Sequence, residues 1–509
     1  MADTATHGSQ GSSNPWQGEI LSSDRPYRML IDGEFVEGEA GETLACEYPF
    51  TGETWGSFPV ATVGDVDRAV RAARKAFDNG WSRTTASHRA ALLRRLADLL
   101  EGTADDIARL EIHQNGKTLA ETSFEVPYSQ MVAHYSAGLI EADHGHTVNS
   151  MLPDVVAYTV REPLGVVVTI TPWNGPLGSL AQKLFPALAA GNTVVVKPSE
   201  VTPAETLWLG EKIMEAGFPA GVVNIVNGPG ATVGRALVAH PLVEHVSFTG
   251  STATGLEIAQ VCAARAATSS MELGGKSPNI VFDSADLDRA ISGVMTGIFS
   301  ASGQSCAAGS RILVQDSIGD DFFEALATRI RALRLGDPLD PATQISPVAS
   351  RAQLAKVLGY IELAQKEGAT TLVGGGRASA PGLTEGFFVE PTIFTGVTND
   401  ATVSREEIFG PVGAVIRFKD EDDAVRIAND TQYGLAAGIW TENVALAHRM
   451  TKRVHAGLVW VNNYRLGELV IPWGGYGATG GSREMGIEAL RDYQGTKAIY
   501  IDLGSPLPF

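Results

Sequence analysis

Cys306 lies in SASGQSCAAG (300–309) and is one of only three cysteines in 509 residues. Its neighbours Gly303, Ala307, Ala308 and Gly309 offer little apolar carbon to pack around a sulfur. A structural thiol wants a tight apolar sleeve, whereas a nucleophile wants room for a substrate and backbone N–H groups close by. The stretch by itself fits either a small buried hydrophobe or a nucleophile.

Four other segments bring chemistry-bearing groups to strand ends. Glu272 in MELGGKSP (271–278) precedes a Gly-Gly turn, where a desolvated carboxylate can act as a general base. Asn174, after the apolar run VVVTIT (166–171), is either a neutral donor for a developing oxyanion or an ordinary turn residue. VVKPSE (195–200) presents Lys197 and Glu200, as ribose ligands or as a surface ion pair ahead of a helix. In VSFTGSTATG (246–255), Gly250 and Gly255 bracket a polar Ser-Thr pair at a helix start. Free N–H groups and the helix dipole there suit a pyrophosphate. The stretch is not a GxGxxG fingerprint, and a plain cap by Ser251 or Thr252 fits the spacing equally.

The elements that must position these groups follow from hydrophobic rhythm. MLIDGEFVEG (29–38) reads as a hairpin on an Asp-Gly turn, and Val63 to Leu99 as two amphipathic helices, with helix continuing over 104–140. From 166 to 265, apolar strands alternate with helices, which predicts a parallel sheet covered on both faces, with ligands at the carboxyl ends of its strands. A second α/β region begins near 275, where a helix over 286–302 is expected to deliver the chain to Cys306. PDVVAYTVREPLG (153–165) and TKAIYIDL (496–503) fall outside both rhythms. They read as two strands that pair, in an arm whose edge is buried against another subunit.

Size and charge bound the class. The length predicts two large domains, and 56 glycines without a three-residue period mean a loop-rich globular chain. A net charge of −19 argues against nucleic acid or anionic membrane as partner. The odd, widely spaced cysteines form no disulfide framework and no CxxC metal site, so no metal is expected and a reducing, cytoplasmic setting is. Residues 1–25 read as a flexible tail without a secretory signal, and no segment is long and unbroken enough to span a bilayer.

TPWNGPL, VVKPSE, FTGSTATG, MELGGKSP, GQSC, EEIFGP, LVWVNN and PWGGYGATG, in this order, resemble the NAD(P)-dependent aldehyde dehydrogenase superfamily from about residue 28 to 500. The resemblance implies a Rossmann-like NAD-binding domain (1–141 and 161–274), an α/β catalytic domain (275–489) and a small β oligomerisation element (142–160 and 490–509). It implies Cys306 as nucleophile, Glu272 as general base and Asn174, with the Cys306 backbone N–H, as oxyanion hole. For the cofactor it implies Thr171, Pro172, Trp173, Lys197, Ser199, Glu200, Gly230, Phe248, Thr249, Gly250, Ser251 and Leu273, with Glu407 and Phe409 on the nicotinamide side. The expected reaction is oxidation of an aldehyde to an acid through a cysteine thiohemiacetal and thioester, by a homodimer or homotetramer. A carboxylate at position 200 repels a 2′-phosphate and so favours NAD over NADP.

Several positions depart from the family's commonest pattern. Gly175, Gly178, Ser179 and Gln182 stand where bulky side chains are frequent, and Ser305 and Ala307 beside the cysteine are small. Together these predict a wide pocket for an aromatic or long-chain aldehyde, with Trp173, Trp460 and Trp473 available as walls. Arg465 and Glu468, before PWGG, are either contacts for a polar substrate end or solvated loop charges. Gly495 stands where some relatives carry a second glutamate, which leaves Glu272 as the only evident base. A CoA-acylating relative would lack the glutamate, and a non-catalytic one would lose cysteine, glutamate or asparagine; all three are present.

Overall fold

The computed structural model describes residue 20 and residues 25–504. The rest of the expected N-terminal tail, and residues 505–509 of the expected terminal element, lie outside the described residues.

The alternation after residue 166 builds a seven-stranded sheet. Its strand order is Thr268–Glu272, His245–Thr249, Val166–Ile170, Thr193–Lys197, Val223–Ile225, Met29–Ile31 and Glu34–Val36. The first five strands run parallel, and the N-terminal hairpin adds antiparallel to the Val223 edge. Val166–Ile170 and Thr193–Lys197 are buried at every position, as a sheet covered on both faces requires. Val166–Ile170 pairs with Thr193–Lys197 on one side and His245–Thr249 on the other, so the order reverses there. Such a reversal opens a crevice at the carboxyl ends of the strands.

A second seven-stranded sheet follows, in the order Thr370–Val373, Thr392–Thr395, Val412–Phe418, Arg311–Gln315, Pro278–Val281, Ala436–Trp440 and Leu458–Val461. It is parallel except at the Thr370 edge. Phe299, Ile312, Ile393 and Trp440 are among the side chains of its separate core.

The two strands outside both rhythms do pair. Val155–Pro163 and Gln494–Asp502 run antiparallel from Gln494↔Pro163 to Asp502↔Val155, and Thr147–Val148 extends them to three strands. This small sheet exposes Val148, Val156, Tyr500 and Ile501. No helix among the described residues is long and apolar enough to cross a membrane.

One expectation fails locally. The helix expected over 286–302 ends at Phe299, and Ala301, Ser302 and Gly303 take φ of 51°, 52° and 73°. Apolar spacing carries no warning of a left-handed turn at Ala and Ser, a conformation that costs a non-glycine residue about 1–2 kcal/mol.

Candidate active site

Three loop ends converge on Cys306. The first follows Val166–Ile170 and carries Asn174, whose side-chain amide donates to the Gln304 carbonyl at 2.9 Å. The second is the Gly-Gly turn after Thr268–Glu272. A Cβ on Gly275 would lie 2.3 Å from the Cys306 carbonyl oxygen, so only glycine lets this turn approach the cysteine loop so closely. The third is the left-handed turn itself. Ser302 Oγ donates to the Ser346 carbonyl at 2.7 Å, and Gln304 Oε1 accepts from the Ala349 N–H at 2.8 Å, so the strained turn is held from the far side.

Asn174, Glu272, Cys306, Glu407 and Phe409 line one cavity of about 800 Å³. Burial pushes the Cys306 thiol up to about 12, with Glu407 and then Glu272 adding to the rise and Arg465 opposing it. The Glu272 carboxyl is raised well above the usual carboxylate range by burial and then by the Glu484 carboxylate. Lys183 and the Ser482 hydroxyl, which donates to Glu272 at 3.1 Å, pull the other way. A carboxyl raised in this manner is a stronger base toward water than a solvated one.

Glu484 joins Glu272 as a second carboxylate at the site. It lines the same cavity and is ion-paired with the buried Lys183, whose ammonium also meets the Ser247 hydroxyl at 3.3 Å. Gly495 lies away from it, in the small sheet opposite Glu162. The spacing of MELGGKSP and PWGG says nothing about a side chain that folds back from beyond the Gly-rich turn.

A second cavity, of about 710 Å³, opens at the carboxyl ends of the first sheet and shares Pro172, Trp173, Thr249, Gly250 and Ser251 with the first. Thr171, Lys197, Ser199, Glu200, Gly230 and Phe248 line it. The Lys197 ammonium stands 3.4 Å from one Glu200 oxygen, and the other accepts the Gly230 N–H at 3.3 Å. Thr171 Oγ1 and Thr249 Oγ1 are buried here with no hydrogen-bond partner, polar atoms that a hydroxyl-rich, anionic ligand would satisfy. Leu273, Glu407 and Phe409 lie instead on the Cys306 cavity. Glu407 accepts the Gly275 N–H at 3.0 Å, and the Phe409 ring meets Trp173 edge-on at 5.1 Å. Beside them Lys276 is buried; burial and the Arg311 guanidinium pull its ammonium down to about 7 against the attraction of Glu407.

Of the expected substrate-side residues, Ser179, Gln182, Arg465, Glu468 and Trp473 line the Cys306 cavity. Gly175, Gly178, Ser305 and Ala307 are not on its wall. Ala307 packs into the core of the second sheet, and its carbonyl accepts the Tyr464 hydroxyl at 2.9 Å. Trp460 also stands back, donating to the Leu466 carbonyl at 2.7 Å and so holding the loop that carries Arg465 and Glu468.

The opposite wall comes from a helix on which the sequence motifs place no site residue. Phe124, Tyr128, Met131 and Tyr135 project from the start and one face of the Glu125–Ala142 helix, and Gln182 donates to the Tyr128 hydroxyl at 2.6 Å. Their 4-3-4 spacing is one helical stripe. It was the signal available, masked because the same helix is apolar on other faces too.

Comparison with known proteins agrees with this geometry. The model of the aldehyde dehydrogenase family matches residues 35–499. An aldehyde dehydrogenase of Emericella nidulans is 42% identical over 489 residues, covering 96% of this chain and 97% of the relative. A betaine aldehyde dehydrogenase of Brucella anthropi is 44% identical over 476 residues, covering 93% and 97%. Among solved structures, betaine aldehyde dehydrogenase from Staphylococcus aureus in complex with NAD+ is similar at a TM-score of 0.94. It is 39% identical, with 95% of this chain and 96% of that one covered.

Proposed function

The chain belongs to the aldehyde dehydrogenase family, and from that premise we propose that it oxidises a bulky aldehyde, aromatic or long-chain, to the free carboxylic acid. It is an NAD-dependent enzyme of that family. The observation that carries the reading is the placement of Cys306, Asn174, Glu272 and Glu407 on one cavity that opens into the cavity holding Lys197 and Glu200.

Each residue then has a physical task. The Cys306 thiol gives its proton to solvent, and the sulfur bonds to the aldehyde carbon, whose carbonyl oxygen takes up the negative charge. The Asn174 amide and the Cys306 backbone N–H stabilise the oxyanion of the thiohemiacetal. NAD, when bound, would supply the hydride acceptor that the oxidation to a thioester needs. Lys197 and Glu200 would hold the adenosine ribose, the Gly250–Ser251 turn the pyrophosphate, and Glu407 with Phe409 the nicotinamide side. Glu272 takes a proton from water, whose oxygen attacks the thioester carbon and releases the acid and the thiol.

The substrate reading rests on the cavity wall. Tyr128, Tyr135, Trp473 and Leu469 give it rings and aliphatic carbon, and Phe124, Met131 and Val470 continue that surface to an exposed rim. Such a wall favours an apolar body over a two-carbon substrate. Exposed apolar side chains on both faces of the three-stranded sheet support a homodimer or homotetramer, and the free thiols support a cytoplasmic setting.

The test is a kcat/KM series over acetaldehyde, betaine aldehyde, benzaldehyde and decanal with NAD, with free acid measured in the absence of CoA. Benzaldehyde or decanal should lead. A lead for acetaldehyde or betaine aldehyde defeats the bulky-aldehyde reading, and acid formation only with CoA defeats hydrolysis.

A further inference from the structure

The segment Glu111–Glu125 carries a buried ion cluster that no step above uses. Lys117, 8% exposed, places its ammonium 2.7 Å from the fully buried Glu111 and 3.0 Å from Glu125. Buried charges persist only when paired and hydrogen-bonded, and this cluster directs its remaining bonds at one place. Asn115 Nδ2 donates to Glu111 at 3.0 Å and to the backbone carbonyl of Trp173 at 3.2 Å. The second Glu125 oxygen accepts the Gly178 N–H at 2.9 Å. A Cβ on Gly178 would stand 2.8 Å from that oxygen, so the missing side chain makes room for the carboxylate. The loop bearing Asn174 is therefore gripped one residue before it and four residues after it.

The same segment reaches the cysteine loop. Glu121 accepts the N–H of Ala301, the first left-handed residue of the turn before Cys306, while its other oxygen closes a capping box with Thr118. Two loops from different sheets are thus fastened to one short stretch of chain, and they meet in the bond from Asn174 to Gln304.

We infer that Lys117, Glu111, Glu125 and Asn115, together with Glu121, are positioning residues for the oxyanion hole, holding the Asn174 amide in register with the Cys306 loop. This rests on the reading of Asn174 as the oxyanion donor. A preorganised donor loses its effect when displaced by a fraction of a bond length, and an ångström of misplacement is worth roughly a hundredfold in rate.

The experiment compares Lys117→Met, Glu125→Gln and Asn174→Ala with the parent enzyme. It measures kcat per active site titrated by iodoacetamide labelling of Cys306, KM for NAD, and the isotope effect on kcat with aldehyde deuterated at the carbonyl carbon. Glu125→Gln keeps the shape of the side chain but cannot hold both Lys117 and the Gly178 N–H. The expected result for both cluster variants is a kcat loss of about tenfold or more, a KM for NAD within about twofold, and a larger isotope effect. A packing role alone would lower melting temperature and active fraction without moving the isotope effect. If Lys117→Met does not fold, Glu125→Gln decides. An impaired Asn174→Ala beside a Glu125→Gln with parental kcat and isotope effect overturns this inference alone. An Asn174→Ala with parental kinetics overturns the oxyanion assignment, and this inference with it.

Discussion

Asn174 donates its side-chain amide to the carbonyl of Gln304, two residues before Cys306, at 2.9 Å. That bond uses one amide hydrogen and leaves the second for a substrate oxygen. Asn174→Ala should cut kcat by about 10²–10³, the usual effect of deleting one oxyanion donor. It should cost only about 1 kcal/mol of stability, one hydrogen bond. Asn174→Asp should be at least as slow, because a carboxylate donates nothing and faces a carbonyl oxygen. Steady-state rates with urea melts check both. A kcat near the parental value for either variant removes the oxyanion role.

Glu272 and Glu484 share the far side of the cavity, and the Glu484 carboxylate is the largest cause after burial of the raised Glu272 carboxyl. Glu272→Gln should leave a rapid burst of NADH, one per active site, while steady-state turnover falls by about 10²–10³, since only thioester hydrolysis needs the base. Glu484→Gln removes a neighbour that raises Glu272 and leaves the Lys183 cation, which lowers it. The base then stays deprotonated to lower pH, and the acid limb of the kcat profile should move toward lower pH. A limb that stays in place or moves up disproves the coupling.

The sequence exposes strand-end groups and hides groups delivered by tertiary return. Glu272 and Lys197 are the last residues of their strands and Ser251 lies two residues past the end of His245–Thr249, so strand ends point to them, and the Gln494–Asp502 pairing follows from two β-rich segments left without other partners. Glu484 and Lys183 are far apart in sequence and meet only because the Gly-rich turn after Trp473 folds back on the first sheet, which no local pattern encodes. The turn at Ala301–Ser302 was hidden for another reason. Small residues at helical spacing look like helix, and the bonds that force positive φ come from Glu121 and Ser346, remote in sequence.

Glu200 stands at the cofactor cavity with one oxygen on Lys197 and the other on the Gly230 N–H, and its side chain is 42% exposed, so it is reachable by a ribose hydroxyl. Replacing the carboxylate should relieve repulsion of a 2′-phosphate and free the Lys197 ammonium to pair with it. Glu200→Ser should therefore raise the NADP-to-NAD ratio of kcat/KM by about 10–100-fold, mostly through KM. An unchanged ratio would mean that discrimination lies elsewhere in the cavity.

Cys306 begins as a protonated thiol, pushed up to about 12 by burial and by the carboxylates of Glu407 and Glu272, with Arg465 as the cation opposing them. The reactive species is the thiolate, so alkylation of the cofactor-free enzyme by iodoacetamide should quicken about tenfold per pH unit from about pH 7 to 10, without a plateau. Arg465→Ala removes the opposing charge, raises the thiol further and should slow alkylation severalfold at each pH in that range. Cys46 and Cys262 are buried, and burial raises both thiols, so Cys306→Ala should take up almost no label and serves as the blank. A plateau near pH 8 would show a thiol already activated in the free enzyme. Arg465→Ala rates equal to the parent's would confine Arg465 to the cavity mouth, with no part in setting the nucleophile.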